Sequence, residues 1–228
     1  HRRLEGVVVR WPRRTTAADH RVTRQVSSWC LSYPDDQLID RIPLLRRALC
    51  EQPDHPSTRE LLTFVDHLES TPLPTLVDDY VDTFDLSRKH TLYLSYWTDG
   101  DTRRRGAALG EFKALYRSSG FVVDLHGELP DHLPIVLEFA ARVDADAGQE
   151  MLEKYRPALE LIRFALRDRR SPYTAVLTAI CSTLPGESPV DRQAARAMTP
   201  ALGVEAVGLE PYDSRLLPLT ATPARGEP

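Results

Sequence analysis

Pro130-Asp131-His132 is the one short cluster in this chain that resembles a reactive pair. An aspartate beside a histidine can orient an imidazole as a general base, the core of nucleophilic hydrolysis. That chemistry also needs a nucleophile within hydrogen-bond reach of the base. The chain has no GxSxG elbow, no catalytic-cysteine signature, no glycine-rich phosphate loop and no HExxH. Asp131 and His132 are adjacent in sequence, and adjacent residues on a helix do not share a face. No catalytic residue is therefore assigned. Asp131 suits the N-cap of a following helix, with His132 in its first turn. A capped helix start is rigid, so the same pair can present a side chain to a ligand. The two roles are compatible.

Two further groups could bind rather than react. Tyr80 and Phe84 are four apart and share one helical face. They read either as core residues or as an aromatic pair beside a groove, receiving an apolar peptide side chain while the tyrosine hydroxyl bonds a backbone. Arg103, Arg104 and Arg105 follow the turn Thr98-Asp99-Gly100-Asp101-Thr102 and open a helix. Cations there oppose the helix dipole, which suits either a solvated face or a site for a partner carboxylate. Metal chemistry finds no support. Cys30, Cys50 and Cys181 are widely spaced and odd in number, so neither a disulfide framework nor a zinc site is expected. His126 and His132, joined through Gly127 and Pro130, suit no helical metal pair. No permanent cofactor is expected.

The elements that would position these residues read as helices. Val22, Val26, Trp29 and Cys30 make one stripe, and Leu38, Ile42, Leu45 and Leu49 make the next, interrupted by Pro43. Ser57-Thr58-Arg59-Glu60 reads as a capping box before Leu61, Phe64, Val65 and Leu68. Leu92, Leu94 and Tyr96 alternate as a strand would, but without a partner strand they read better as a helix end leading into the Asp99 turn. A helix from about Asp101 to Ser119 stops at Gly120. Leu133, Val136, Leu137, Ala140 and Val143 form another stripe, and residues 144–148 read as a break. Met151, Leu152, Tyr155, Leu159 and Ile162 follow, with Pro157 as a distortion, and Ser171-Pro172 opens a mostly apolar helix to Leu184.

The sum is an all-α, single helical bundle domain. Its expected bounds are a basic arm over residues 1–20, the helical domain over 21–185, and a flexible proline- and glycine-rich tail over 186–228. The chain does not begin with methionine, and its first residues read as something cut from a longer product. Net charge is −4, but residues 1–24 hold seven arginines against Glu5 and Asp19, about +5, which leaves about −9 for the remainder. Only Lys89, Lys113 and Lys154 are lysine, so the arm reads as arginine-biased composition, and nucleic-acid binding is not expected. No apolar run approaches the roughly 20 residues of a membrane span, and no secretory signal core is visible. The chain reads as cytoplasmic, without direct membrane insertion.

From Tyr80 to Gly106 the order of helix face, basic patch, aromatic cluster, acidic turn and arginines closely resembles the nitrate reductase delta subunit family. That family belongs to a wider group of all-helical redox-enzyme maturation chaperones. Glu128-Leu129-Pro130-Asp131-His132 resembles a motif of that group, with Leu129 where many relatives have a first proline. The resemblance spans roughly residues 22–184. It implies a private chaperone that binds the apo catalytic (alpha) subunit of respiratory nitrate reductase, chiefly through that subunit's N-terminal peptide. Molybdenum cofactor and iron–sulfur clusters would then be inserted before membrane docking. It further implies a peptide-binding surface that includes Tyr80, Phe84, Asp131 and His132, and the basic helix start places Arg103, Arg104 and Arg105 at its rim. The competing reading, for which periodicity is equally good evidence, is a generic helical peptide-binding or regulatory module with no nitrate reductase selectivity.

Overall fold

Apolar side chains at helical spacing organise this chain, and nearly all of them are inside. A computed structural model describes residues 20–100, 102–121, 125 and 127–198. The expected arm, save for His20, and everything after Met198 lie outside these residues. Helices α1 (Arg21–Cys30), α2 (Asp36–Cys50), α3 (Pro56–Ser70) and α4 (Leu73–Tyr80) come first. A π-helical turn, Val81–Asp85, and a 3₁₀ turn, Arg88–His90, lead to α5 (Leu94–Asp99) and α6 (Arg103–Ser118). Then come α7 (Leu133–Arg142), α8 (Ala145–Lys154), α9 (Arg156–Arg169), α10 (Tyr173–Cys181) and α11 (Arg192–Ala197). The fold is all-α, as expected.

Helix α1 lies against α7, α3 against α10, and α9 against α10, α5 and α11. Phe64, Phe112, Phe139 and Phe164 are fully buried at the contacts. The α1–α7 contact is also polar: Ser28 Oγ donates to Pro134 O at 2.8 Å, and the Arg24 guanidinium donates to Ala140 O at 3.3 Å and Ala145 O at 3.2 Å. Helix α9 carries a buried ion group in which the fully enclosed Glu160 carboxylate sits 2.7 Å from Arg163 Nε and 3.7 Å from Arg156 Nε. Ser188 Oγ donates to that carboxylate at 2.7 Å, and Arg156 donates to Gly186 O at 3.0 Å. These bonds tie down the chain after α10. Ordered packing therefore continues past residue 185: α11 folds back on α9, and Ala195 is fully buried beside Leu161 and Phe164.

Several local expectations need correction. Helix α3 starts one turn-position earlier than the Ser57–Glu60 box, because Pro56 takes the first helical position and His55 is the cap, its Nδ1 accepting from Ser57 N at 3.2 Å. Residues 144–148 are not a break. Asp144 caps α8 by accepting from Asp146 N and Ala147 N, and Gly148 is helical. Gly148 is there because a Cβ at this position would lie 2.3 Å from Ala140 Cβ, so its absence lets α7 and α8 touch. Pro43 sits inside a single α2, while Pro157 marks a true boundary, with Tyr155 between α8 and α9. Asp131 does not cap α7. His132 holds that position, without a side-chain cap bond.

Candidate functional site

Asp131 serves a different helix from the one it precedes. Its carboxylate is fully buried and accepts from Ser95 N at 3.0 Å and Ser95 Oγ at 2.6 Å. Ser95 lies in the first turn of α5, where amide protons have no intrahelical acceptor. Asp131 thus acts as a cap supplied from 36 residues away. Backbone pairing reinforces the bracket: Leu94 N donates to Asp131 O at 3.1 Å and Leu133 N donates to Leu92 O at 2.9 Å. Tyr93 and His132 form the isolated antiparallel bridge between them. The period-two pattern at Leu92 and Leu94 came from this single bridge, whose partner lies in a distant turn.

Side chains on the bracket converge. The rings of Tyr93 and His132 are 5.3 Å apart, and Tyr93 OH donates to the Glu128 carboxylate. Tyr116 OH donates to Pro130 O at 2.7 Å and holds the turn from below. Arg105 reaches over from α6, its guanidinium 5.9 Å from the Tyr93 ring and 5.8 Å from the Tyr96 ring, its Nε donating to Ser95 Oγ at 3.4 Å. A cation above two tyrosine faces answers the problem of a basic helix start, since the ring quadrupoles attract it. Arg103 and Arg104 are exposed. Between these groups opens a cleft of about 320 Å³ lined by Arg88, Thr91, Tyr93, Tyr96, Arg105 and Leu129. Leu129, at the position that departs from the family motif, stands exposed at its lip.

Burial lowers the pKa of His132, with Glu128 and Asp131 partly opposing it. Burial also raises the pKa of Tyr93, and its bond to Glu128 raises it further. The bracket therefore keeps a phenol protonated and favours a neutral imidazole, while the Ser95 hydroxyl is fully buried and donates its hydrogen bond to Asp131. It can orient and bind rather than catalyse.

Tyr80 and Phe84 sit on an adjoining aromatic patch. Tyr80 is buried, its hydroxyl donating to Leu31 O at 3.2 Å, and its ring lies 5.0 Å from Phe84 and 6.1 Å from Tyr173. Phe84 is half-buried and Tyr33 covers the patch edge-on at 5.5 Å. The pair shares no simple α-helical face, because Val81–Asp85 is wound wider, with Leu86 N donating to Val81 O at 3.0 Å. Such π turns recur at functional sites. Burial, then Asp85, Glu128 and Tyr93, raise the pKa of Tyr80, which links the patch electrostatically to the bracket.

The seven expected residues thus occupy distinct places. His132 and Arg105 meet around Tyr93, Asp131 supports them from inside, Tyr80 and Phe84 form the neighbouring patch, and Arg103 and Arg104 point to solvent. Tyr93, Tyr96 and Arg88 were missed as individuals. Their signal was the i, i+3 spacing of the two tyrosines in the aromatic cluster, a pattern that a core stripe also produces. Among the described residues, no group of three or more His, Cys, Asp or Glu side chains could hold a metal ion, and no helix is long and apolar enough to cross a membrane.

Comparison with known proteins gives a consistent result. The family model for the nitrate reductase delta subunit matches residues 50–179. A nitrate reductase-like protein, NarX, of Mycobacterium tuberculosis is 40% identical over 162 residues, 71% of this chain. The chain spans only 24% of that relative's length. The Bacillus subtilis protein named "Probable nitrate reductase molybdenum cofactor assembly chaperone NarJ" is 32% identical over 166 residues, covering 73% of this chain and 90% of its own. Among solved structures, a candidate redox enzyme maturation protein from Archaeoglobus fulgidus superposes with a TM-score of 0.56 at 19% identity, over 75% of this chain and 97% of the other. That likeness speaks for the fold.

Proposed function

Because this chain belongs to the nitrate reductase delta subunit family, we propose that it is an assembly chaperone for a respiratory nitrate reductase, binding the apo catalytic subunit through that subunit's N-terminal segment. Relatives named as nitrate reductase molybdenum cofactor assembly chaperones support reading this chain as an assembly factor rather than a catalyst. Held in the cytoplasm, the catalytic subunit would stay open to molybdenum cofactor and iron–sulfur cluster insertion before it docks at the membrane. The cofactor and clusters are cargo in this scheme.

One observation supports this reading above the others: the residues of the family-like motif converge on a bracket that builds a cleft. The Glu128–His132 turn binds the start of α5, α5 carries Tyr96, and Arg105 spans both tyrosines. A helical peptide laid along this face would place apolar side chains against Tyr93, Tyr96 and Leu129, with Phe84 and the Tyr80 patch beyond. Arg103 and Arg104 would stand at the rim and act mainly on the association rate. Tyr80 and Asp131 would contribute from within, by holding the aromatic patch and the bracket in shape.

Calorimetric titration with a synthetic peptide of the catalytic subunit's N-terminus tests this, with a scrambled peptide of the same composition as control. Leu129→Asp should weaken binding at least about tenfold, as expected when a charge enters an apolar contact, and should leave the melting temperature unchanged. His132→Ala is a poorer probe than its sequence suggests, because the ring is packed on Tyr93 and its loss also affects stability. Equal binding of native and scrambled peptides would favour a generic helical interaction module. Wild-type binding by Leu129→Asp would move the peptide site elsewhere.

A further inference from the structure

A second cleft, of about 560 Å³, opens where the Arg88–His90 turn and α5 meet α9 and α11. Arg88, Lys89, Arg169 and Arg192 line it around the Trp97 ring. Asp168 is the one carboxylate among its lining residues and is engaged by Arg192 at 2.9 Å. Trp97 directs its indole N–H inward to Thr91 O at 2.9 Å, so its contribution to the wall is apolar. Burial, then Arg169, with Lys89 and Arg192 behind, lowers the proton affinity of His90, which marks a positive local potential. That potential is confined to the cleft. Residues 20–198 as a whole carry 22 lysines and arginines against 27 aspartates and glutamates. A basic cleft on an acidic body attracts an acidic surface.

Such a surface lies beside it. Asp78, Asp79, Asp82 and Asp85 are all exposed and lie about one turn apart along the end of α4 and the π-helical turn, where they form a ridge. Leu86, at the end of the ridge, is 75% exposed. The π-helical turn packs on the Arg88–His90 turn, and His90 bonds the Thr83 backbone. Among the described residues, no ion pair compensates Lys89, Arg169 or the four ridge carboxylates. This packing fixes ridge and cleft side by side, so the ridge is placed to meet the cleft of another copy and not its own. A face with both features is self-complementary, since a two-fold rotation sets ridge on cleft twice.

We propose that two copies of this chain associate through this face, the Asp78–Asp85 ridge of each seated in the Lys89–Arg169 cleft of the other. Leu86 then meets the apolar wall at Trp97. Arg88 and Tyr96 line this cleft and the adjoining one alike, so the second copy borders the mouth of the Tyr93–Arg105 cleft. The association does not depend on what that neighbouring cleft binds.

Sedimentation velocity of the full chain over a concentration series tests the proposal. The expected result is a shift from the 25.8 kDa monomer to a dimer at about 10 mM salt, where charges act over about 30 Å. The monomer should return at about 1 M salt, where they act over about 3 Å. Lys89→Glu/Arg169→Glu reverses the cleft, and Asp78→Lys/Asp82→Lys reverses the ridge. All four positions are exposed, and circular dichroism checks that both variants fold. Each variant alone sets like charges together and should dimerise about a hundredfold more weakly than the wild type. An equimolar mixture of the two should pair again, because both contacts of the mixed dimer join opposite charges. A purely structural effect of the substitutions would not produce that rescue. A chain that stays monomeric at low salt overturns the proposal and leaves the cleft to an acidic segment of another protein. Wild-type dimerisation by either variant overturns it as well, and so does a mixture that fails to pair. Masses that rise past two copies overturn the two-fold arrangement.

Discussion

Replacing Asp131 with alanine separates the two roles that its position allows. A residue that merely capped α7 would cost about 0.5–2 kcal/mol when truncated. The structure demands more. Asp131 and Ser95 are both fully buried, and the carboxylate takes up the Ser95 amide at 3.0 Å and hydroxyl at 2.6 Å. Truncation leaves two enclosed donors unsatisfied at about 1–3 kcal/mol each, so the expected loss is about 2–6 kcal/mol, a range centred on the roughly 3–5 kcal/mol of breaking other buried charged contacts. Asp131→Asn keeps one acceptor oxygen and should lose about half of that. Urea unfolding measures the change, with an unaltered m-value as the sign that both states remain comparable. A cycle with Ser95→Ala should show a coupling of about 1 kcal/mol or more, because the two residues share the bond. If Asp131→Ala costs less than about 1 kcal/mol, or adds independently to Ser95→Ala, Asp131 does not hold α5 to the α7 turn, and the bracket must be held by its backbone pairing alone.

Gly148→Ala should destabilise by about 1–3 kcal/mol through overpacking, although alanine is the better helix former by about 1 kcal/mol, because the new methyl would meet Ala140 Cβ and Cα within 2.4 Å. Thermal melting decides the sign. Glu160→Ala should cost about 3–5 kcal/mol, since it strands the buried Arg156 and the partly buried Arg163 and releases Ser188; limited proteolysis should then cut the segment between α10 and α11 first. Acidification gives a third result. The folded-state pKa of His132 is depressed, chiefly by burial, so the unfolded chain binds the extra proton. Its contribution to stability is complete above the unfolded value of about 6.5 and is lost as pH falls from there toward the folded pKa. Unfolding midpoints measured between pH 7.5 and 5 should fall, and His132→Gln should flatten the slope.

Helix identity was legible in the chain because it is set locally. Leu38, Ile42, Leu45 and Leu49 recur every three or four residues and are all buried along α2. The same logic failed at caps, where two candidates competed within a few residues. Ser57 looked like a cap, but Pro56 had already claimed the first helical position and left His55 to accept the amide. Residues 144–148 looked like a break because glycine and aspartate favour turns; only the 2.3 Å proximity to Ala140 shows that Gly148 is a contact residue. Packing after residue 185 was hidden because α11 is six residues long with one buried residue, Ala195, and the segment before it is tied down by the buried ion group on α9, not by a stripe of its own.

The candidate site divides along the same line. Residue types and spacing alone were enough to mark an all-α chain and to draw attention to Tyr80, Phe84, Asp131, His132 and the arginines at 103–105 as candidates, because each of these readings depends on neighbours within one or two helical turns; a role in binding came from the family resemblance and, for the arginines, from the basic helix start. What each residue does was decided by contacts 9 to 49 residues away in sequence. Asp131 caps α5 instead of α7, Tyr80 spends its hydroxyl on Leu31 O, and Arg105 alone of the three arginines folds over Tyr93 and Tyr96. Hydrogen bonds and ring contacts act only over a few ångströms, and it is the packing of the helices, not the order of the chain, that brings such groups within that distance.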